Sequence, residues 1–235
     1  MLYAESVDGL RWEKPITNTV EEHPDTNIVA GSPSTGNVHA AYVFLDPLAE
    51  NEEDRFKMIY SHYGRDEENS HGIISLAHSP DGKTWTPYEV HPVFGKSGSR
   101  LGDVWTIFYD EELGKYIMPT RHTNMHAHGS LGRKPGSPTL PGFFAPYYPG
   151  EPLRMNKRRV FLCISDNLFR WNEPFEILVP DDRRDNLDDC FYGMQITKLG
   201  DVYLGFVHKL SKVDNTMEVY LVHSRNAKDW EFVVP

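Results

Sequence analysis

Four of the five tryptophans in this 235-residue chain stand six positions after a serine, with Asp or Asn at a constant place between them. The segments are Ser6-Val-Asp8-Gly-Leu-Arg-Trp12, Ser79-Pro-Asp81-Gly-Lys-Thr-Trp85, Ser165-Asp-Asn167-Leu-Phe-Arg-Trp171 and Ser224-Arg-Asn226-Ala-Lys-Asp-Trp230. Self-similarity of this kind constrains a fold strongly, because each copy must be one structural unit. A short apolar stretch precedes each copy, as in Ile74-Ser75-Leu76-Ala77 or Val219-Tyr220-Leu221-Val222, and a strand-like stretch follows. Asp-Gly and Asn tolerate positive φ, and Ser and Asx side chains bond the backbone of their own turn. The repeat therefore predicts a hairpin turn whose Asp residues are structural. The Trp is expected to cover the hairpin and pack between neighbouring units.

Two more strands precede each of the last three hairpins. They are Val38 to Phe44 with Arg55 to Tyr60, Val104 to Tyr109 with Lys115 to Met118, and Phe191 to Ile196 with Val202 to Phe206. Each unit reads strand A, turn, strand B, loop, strand C, Ser/Asx/Trp turn, strand D. Four antiparallel strands repeated radially make a blade, so the expected fold is all-β and a β-propeller. The 12 Tyr, 12 Phe, 18 Gly and 17 Pro suit many short strands and tight turns. Residues 27–92, 103–179 and 188–234 are expected as full blades and residues 1–16 as half a blade, in one propeller domain spanning 1–235. About three and a half blades do not close a ring, so the domain is expected to be incomplete, with further strands upstream and downstream. Residues 122–157 interrupt the blade rhythm as a long inserted loop carrying His122, His126 and His128. Loops of that length are usually functional or disordered, and the aromatic run from Pro141 to Gly150 argues against full disorder.

Blade topology says where a site belongs. A–B and C–D turns share one face of the disc, while B–C and D–A loops share the other, and A strands line the central funnel. Polar residues at A-strand starts and B-strand ends then converge on the axis. These are Asp25 and Asn27, Asp103, Asp188 and Asp189, with His62, Arg121-His122 and His208 from the B strands. Carboxylates from different blades meeting at one funnel suit general acid–base work on a glycosidic bond, which needs a carboxyl group on either side. An Arg nearby holds a carboxylate ionised or binds substrate oxygens. Trp105, near Asp103, has two readings of equal weight: stacking on a sugar face, or packing between blades. The three loop histidines lack zinc-type helical spacing, so no metal is expected.

The formal net charge of −10 disfavours nucleic acid and anionic membrane surfaces as partners, and a neutral carbohydrate fits better. No apolar run approaches a membrane span. Residues 1–5 lack a basic n-region and an apolar h-region. Cys163 and Cys190, without a CxxC neighbour, read as buried free thiols.

The segments Tyr3-Ala4-Glu5-Ser6-Val-Asp8-Gly9-Leu-Arg-Trp12-Glu-Lys-Pro15, Lys115-Tyr116-Ile-Met-Pro-Thr-Arg121 and Phe191-Tyr192-Gly193-Met194 resemble those of the five-bladed propeller glycosidases. These are glycoside hydrolase families 32, 43 and 68 and their relatives. The resemblance implies a five-bladed ring, hydrolysis by paired carboxylates without an organic cofactor, and a secreted or periplasmic setting. It places Asp103 at the position of an inner-strand catalytic Asp and Asp189 or Asp188 at the next one, where those families carry Glu. Arg121, His122, Trp105, Asn27, Tyr192 and His208 are then expected to bind substrate. The alternatives are a non-catalytic carbohydrate- or protein-binding propeller, and a phosphorolytic relative using Arg121, Arg154, Arg158 and Arg159 for phosphate.

Overall fold

The computed structural model describes residues 1–31, 38–62, 73–95, 101–122, 158–181, 183–186, 189–211 and 213–233. Helix among these is confined to one 3-10 turn, Glu52–Asp54, and no helix is long and apolar enough to cross a membrane. The rest is strand and turn, arranged as three antiparallel meanders.

The first sheet orders β1 (Val38–Leu45), β2 (Phe56–His62), β3 (Ile73–Ser79) and β4 (Thr86–Pro87) as neighbours. The second begins with β5 (Val93–Phe94), β6 (Leu101–Trp105), β7 (Phe108–Asp110) and β8 (Lys115–His122), and continues with β9 (Val160–Ser165), β10 (Arg170–Trp171) and β11 (Phe175–Leu178). The third runs β12 (Asp189–Leu199), β13 (Val202–Ser211), β14 (Thr216–Ser224), β15 (Glu231–Phe232). The expected four-strand rhythm is present in each, and the fold is that of a β-propeller.

The second sheet departs from the simple pattern in two places. Its inner strand is broken into β6 and β7 by Thr106 and Ile107, and its outer strand is divided between β10 and β11. The linker strand β5 pairs in parallel with β10, joining Val93 to Arg170 and Phe94 to Trp171. Phe94 then stacks on the Trp171 ring at 5.6 Å. Residues 1–13 form a hairpin through Glu5 and Glu13, and its other side meets Ile28 through Leu2.

The four Ser/Asx/Trp segments adopt one turn. In the second copy Ser79 Oγ accepts from Gly82 N at 2.9 Å, and Asp81 Oδ1 accepts from Lys83 N and Thr84 N at 2.8 Å each. Asn226 does the same for Lys228 N at 2.9 Å and Asp229 N at 2.8 Å. In every copy the Trp indole N–H donates to the carbonyl three residues back, at Gly9, Gly82, Leu168 and Ala227. Those four residues carry φ of 73°, 72°, 66° and 60°. The side chains thus replace the backbone bonds that a tight left-handed corner leaves unmade.

Alternation along the strands builds the core in two layers. From β8, Tyr116 and Met118 join Ile59, Ile74, Leu76 and Trp105 between the first and second sheets. Ile117 faces the other way, joining Val160, Leu162, Phe191, Met194 and Val207 between the second and third. Period-two alternation is what lets one strand serve both layers. Cys163 and Cys190 are buried and form no disulfide, as expected, and burial pushes the Cys163 thiol up.

Candidate active site

The inner strand β6 packs between β1 and β12. Where the three meet they line an open cavity of about 190 Å³. β1 supplies Ala40, Ala41 and Tyr42, and β6 supplies Asp103, Val104 and Trp105, followed by Thr106. Met194 and Gln195 of β12 and His208 of β13 complete the wall.

All three inner strands bulge at this end. On β1, His39 pairs with Ser61 but Tyr42 pairs with Ile59, so Ala40 and Ala41 oppose Tyr60 alone. Ala40 takes φ of 52° there. On β12, Phe191 and Gly193 pair with the adjacent Lys209 and His208, leaving Tyr192 as the extra residue. On β6, Leu101 pairs with His122 and Trp105 with Thr120, so residues 102–104 oppose Arg121 alone. A bulge bends its strand and re-aims side chains, and bulges concentrate beside active sites. The β6 bulge sets Asp103 against Arg121.

Arg121 and Asp103 form an ion pair through Nη2 and Oδ1. Arg121 Nη1 also donates to the Tyr192 carbonyl at 3.5 Å, and its guanidinium lies 4.3 Å from the Tyr192 ring centroid. Arg158 lies 4.6 Å from the same ring. Burial, and then the positive charge of Arg158, pull the Arg121 guanidinium down from its ordinary value, though Arg stays charged in proteins. Cation–π stacking and the ion pair together hold this guanidinium in one orientation.

Asp189 is fully buried. Its Oδ2 accepts from Asn186 N at 2.9 Å and from Lys209 Nζ at 3.3 Å, and Lys209 pairs in turn with Glu218 at 2.8 Å. Burial pulls the Lys209 ammonium down, but its bonds to Glu218, Tyr220 and Asp189 outweigh this and the net shift is upward.

The expected residues thus separate into groups. Asp103, Trp105 and His208 line the cavity, and Arg121 and Tyr192 adjoin it through Asp103. Asp189 is packed against Lys209 and is not part of the cavity wall. Asn27 lies at the other boundary of the first sheet, where its Nδ2 donates to the Tyr3 carbonyl at 2.6 Å. Asp25 is a turn residue with φ of 57°, its N–H bonded to Asn18. His122 closes the ladder opposite Leu101 by its backbone, but its side chain lies outside the described residues, as do Asp188, His126 and His128. Among the described residues no cluster of His, Cys, Asp and Glu is placed to hold a metal. Thr106, Gln195 and the Ala40-Ala41 pair escaped the sequence reading, since they reach the wall through bulges and a strand break.

No family model matches the sequence, and no curated protein does. Solved structures match by fold. An N-acetylgalactosamine deacetylase from F. plautii, in complex with blood group B trisaccharide, aligns over 98% of this chain and 59% of its own, with 15% identity and a TM-score of 0.56. A family 32 β-fructofuranosidase of Bombyx mori aligns over 86% of this chain and 36% of its own, at 14% identity and a TM-score of 0.55. A member of the GH130 family of mannoside phosphorylases, described as containing glycoside hydrolases for β-1,2 mannosidic linkages in Candida mannan, aligns over 86% and 50%, at 12% identity and a TM-score of 0.52. The chain spans between about a third and three fifths of the length of these structures. At such identities the likeness is one of architecture, and it is with the propeller fold on which these carbohydrate-active proteins are built.

Proposed function

We propose that the cavity between the inner strands is a carbohydrate site and that the protein is a glycoside hydrolase of the propeller type, with Asp103 acting at the glycosidic bond. One observation carries this reading. Asp103 stands on the wall of the cavity where inner strands of three sheets converge, with Arg121 as its counter-ion. A carboxylate paired with a guanidinium stays ionised near neutrality, which suits a base or nucleophile rather than an acid. The same proposal treats the three sheets and the first hairpin as one propeller domain.

Hydrolysis needs a second carboxyl group across the scissile bond. Asp189 and Asp188 are proposed for it, and Asp189 must exchange Lys209 for substrate to take that part. The sealed state of Asp189 also favours a second reading, a propeller that binds carbohydrate without cleaving it. Among the described residues of the cavity wall, Asp103 is the one carboxylate. The Arg121 and Arg158 guanidiniums on Tyr192 give phosphorolysis a physical basis too, so phosphate belongs in the assay.

The test is turnover of a panel of aryl glycosides, with and without inorganic phosphate, by the wild type, Asp103→Asn and Asp189→Asn. Loss of about a hundredfold or more in Asp103→Asn supports the assignment. Equal turnover in all three proteins overturns it. Binding without turnover in the wild type selects the non-catalytic reading.

A further inference from the structure

Four consecutive residues, Asp103 to Thr106, line one cavity. A regular strand cannot do this, because neighbouring side chains point to opposite faces. Here the bulge at residues 102–104 turns Asp103 and Val104, and the strand ends at Trp105, releasing Thr106 and Ile107 before β7 begins. The result is a concentration of polar atoms. Trp105 Nε1 and Thr106 Oγ1 are each buried without a hydrogen-bond partner among the described residues, beside Asp103 Oδ1, which Arg121 holds in an ion pair. The four repeat-turn tryptophans differ: each indole N–H is spent on its own turn. Buried polar groups in folded proteins are nearly always paired, so two unpaired groups on adjacent residues that line one cavity mark a place for a ligand.

We infer that Trp105 Nε1 and Thr106 Oγ1 are a hydrogen-bonding pair that reads adjacent hydroxyls of one neutral sugar ring in this cavity. The assignment rests on the carbohydrate reading of the site above and sharpens it: Trp105 acts through its N–H edge, and Thr106 becomes a specificity residue. An indole N–H only donates, whereas a threonine hydroxyl both donates and accepts. The pair therefore accepts a vicinal diol in one sense, with Asp103 able to take a proton donor beside it. The apolar wall of Val104, Met194 and Ala40 admits the C–H face of a ring.

The experiment uses the full chain and a panel of methyl glycosides of common hexoses and pentoses, followed by ligand-observed NMR and titration calorimetry. Thr106→Val removes the hydroxyl at nearly constant shape, Thr106→Ser keeps it, and Trp105→Phe removes the N–H. The expected result is that at least one glycoside binds the wild type and the serine variant alike. Binding is about five- to tenfold weaker in Thr106→Val and in Trp105→Phe. Thr106→Val is expected to melt no lower than the wild type, since it removes a buried group with no partner among the described residues; a structural threonine would give the opposite. The inference is overturned if no glycoside binds the wild type, if both variants bind as the wild type does, or if Thr106→Val melts lower. Binding without hydrolysis leaves this inference standing while the hydrolase reading falls. Hydrolysis with unaltered affinity in both variants does the reverse.

Discussion

The phenol of Tyr116 donates to Asp46 Oδ1 at 2.5 Å, joining β8 of the second sheet to the turn after β1 of the first. The contact recurs one sheet further on, where the Tyr203 hydroxyl donates to Asp110. Each Asp is also met by a lysine: Lys57 lies 3.3 Å from Asp46 and Lys198 lies 3.0 Å from Asp110. The same Tyr-to-Asp clasp therefore fastens two successive sheet boundaries. Tyr116→Phe and Tyr203→Phe are each expected to lower stability by about 1–2 kcal/mol, because the buried carboxylate loses a charge-assisted bond. Chemical denaturation of the two variants checks this, and an unchanged midpoint in both would refute it.

The clasp also sets an acid limit. Burial pushes the Asp110 carboxyl up, but bonds from Tyr203, Lys198 and the Leu113 N–H outweigh it and leave the group below its ordinary value. A depressed carboxyl stabilises the fold above its unfolded value, about 3.9. That contribution is lost as pH falls from there through the folded value. Asp110→Asn should be less stable than the wild type at neutral pH and show a flatter loss of stability below about pH 4. Parallel slopes for the two proteins in acid would count against this account.

At the repeated turn, Asn226 accepts two backbone N–H groups through one oxygen. Asn226→Ala is expected to cost about 1 kcal/mol, and Asn226→Asp, which keeps the acceptor, much less. Gly82→Ala probes the corner itself. An added Cβ there meets nothing nearer than Phe56 at 4.0 Å, so the cost of about 1 kcal/mol is that of an L residue at φ of 72°. Thermal melts of the three variants separate acceptor from corner.

Gly193 marks a close approach of β12 to β6. A Cβ built there lies 2.4 Å from Val104 Cγ1, on the cavity wall. Gly193→Ala must therefore part the two inner strands, with an expected loss of about 1–3 kcal/mol and weaker glycoside binding. Gly193→Ala combined with Val104→Ala should recover much of the stability, which a double-mutant cycle reads directly.

The outer half of each sheet was legible because its determinants are local. Ser224, Asn226 and Trp230 lie within one turn, and their side chains bond that turn's own backbone. Even so, the expected packing of the Trp varies: Trp171 is 4% exposed and Trp12 is 61% exposed. The clasps were not legible, because Asp46 and Tyr116 are 70 residues apart and Asp110 and Tyr203 are 93 apart. Asp103 and His208 were expected at the axis from blade topology, which needs only strand order, whereas Trp105 was singled out by its nearness to Asp103, with stacking on a sugar and packing between blades weighted equally. Thr106 was not, since Val104 to Tyr109 reads as one unbroken strand and the interruption at Thr106 and Ile107 is a tertiary event. Asp189 shows the limit of that topological argument. Position on an inner strand does not say whether a lysine from the next strand has already claimed the carboxylate.

The difference between local turns and distant clasps has a kinetic consequence. A turn closed by side chains within seven residues costs little loop entropy and can form on the microsecond scale of a hairpin. The clasps close loops of 70 and 93 residues and exist only once whole sheets have docked. Folding should therefore proceed by preformed outer hairpins that assemble late around β6. Substitutions at Asn226 would slow folding, while Tyr203→Phe would chiefly quicken unfolding. The cavity, walled by the strands that dock last, would be the final part of the molecule to take shape.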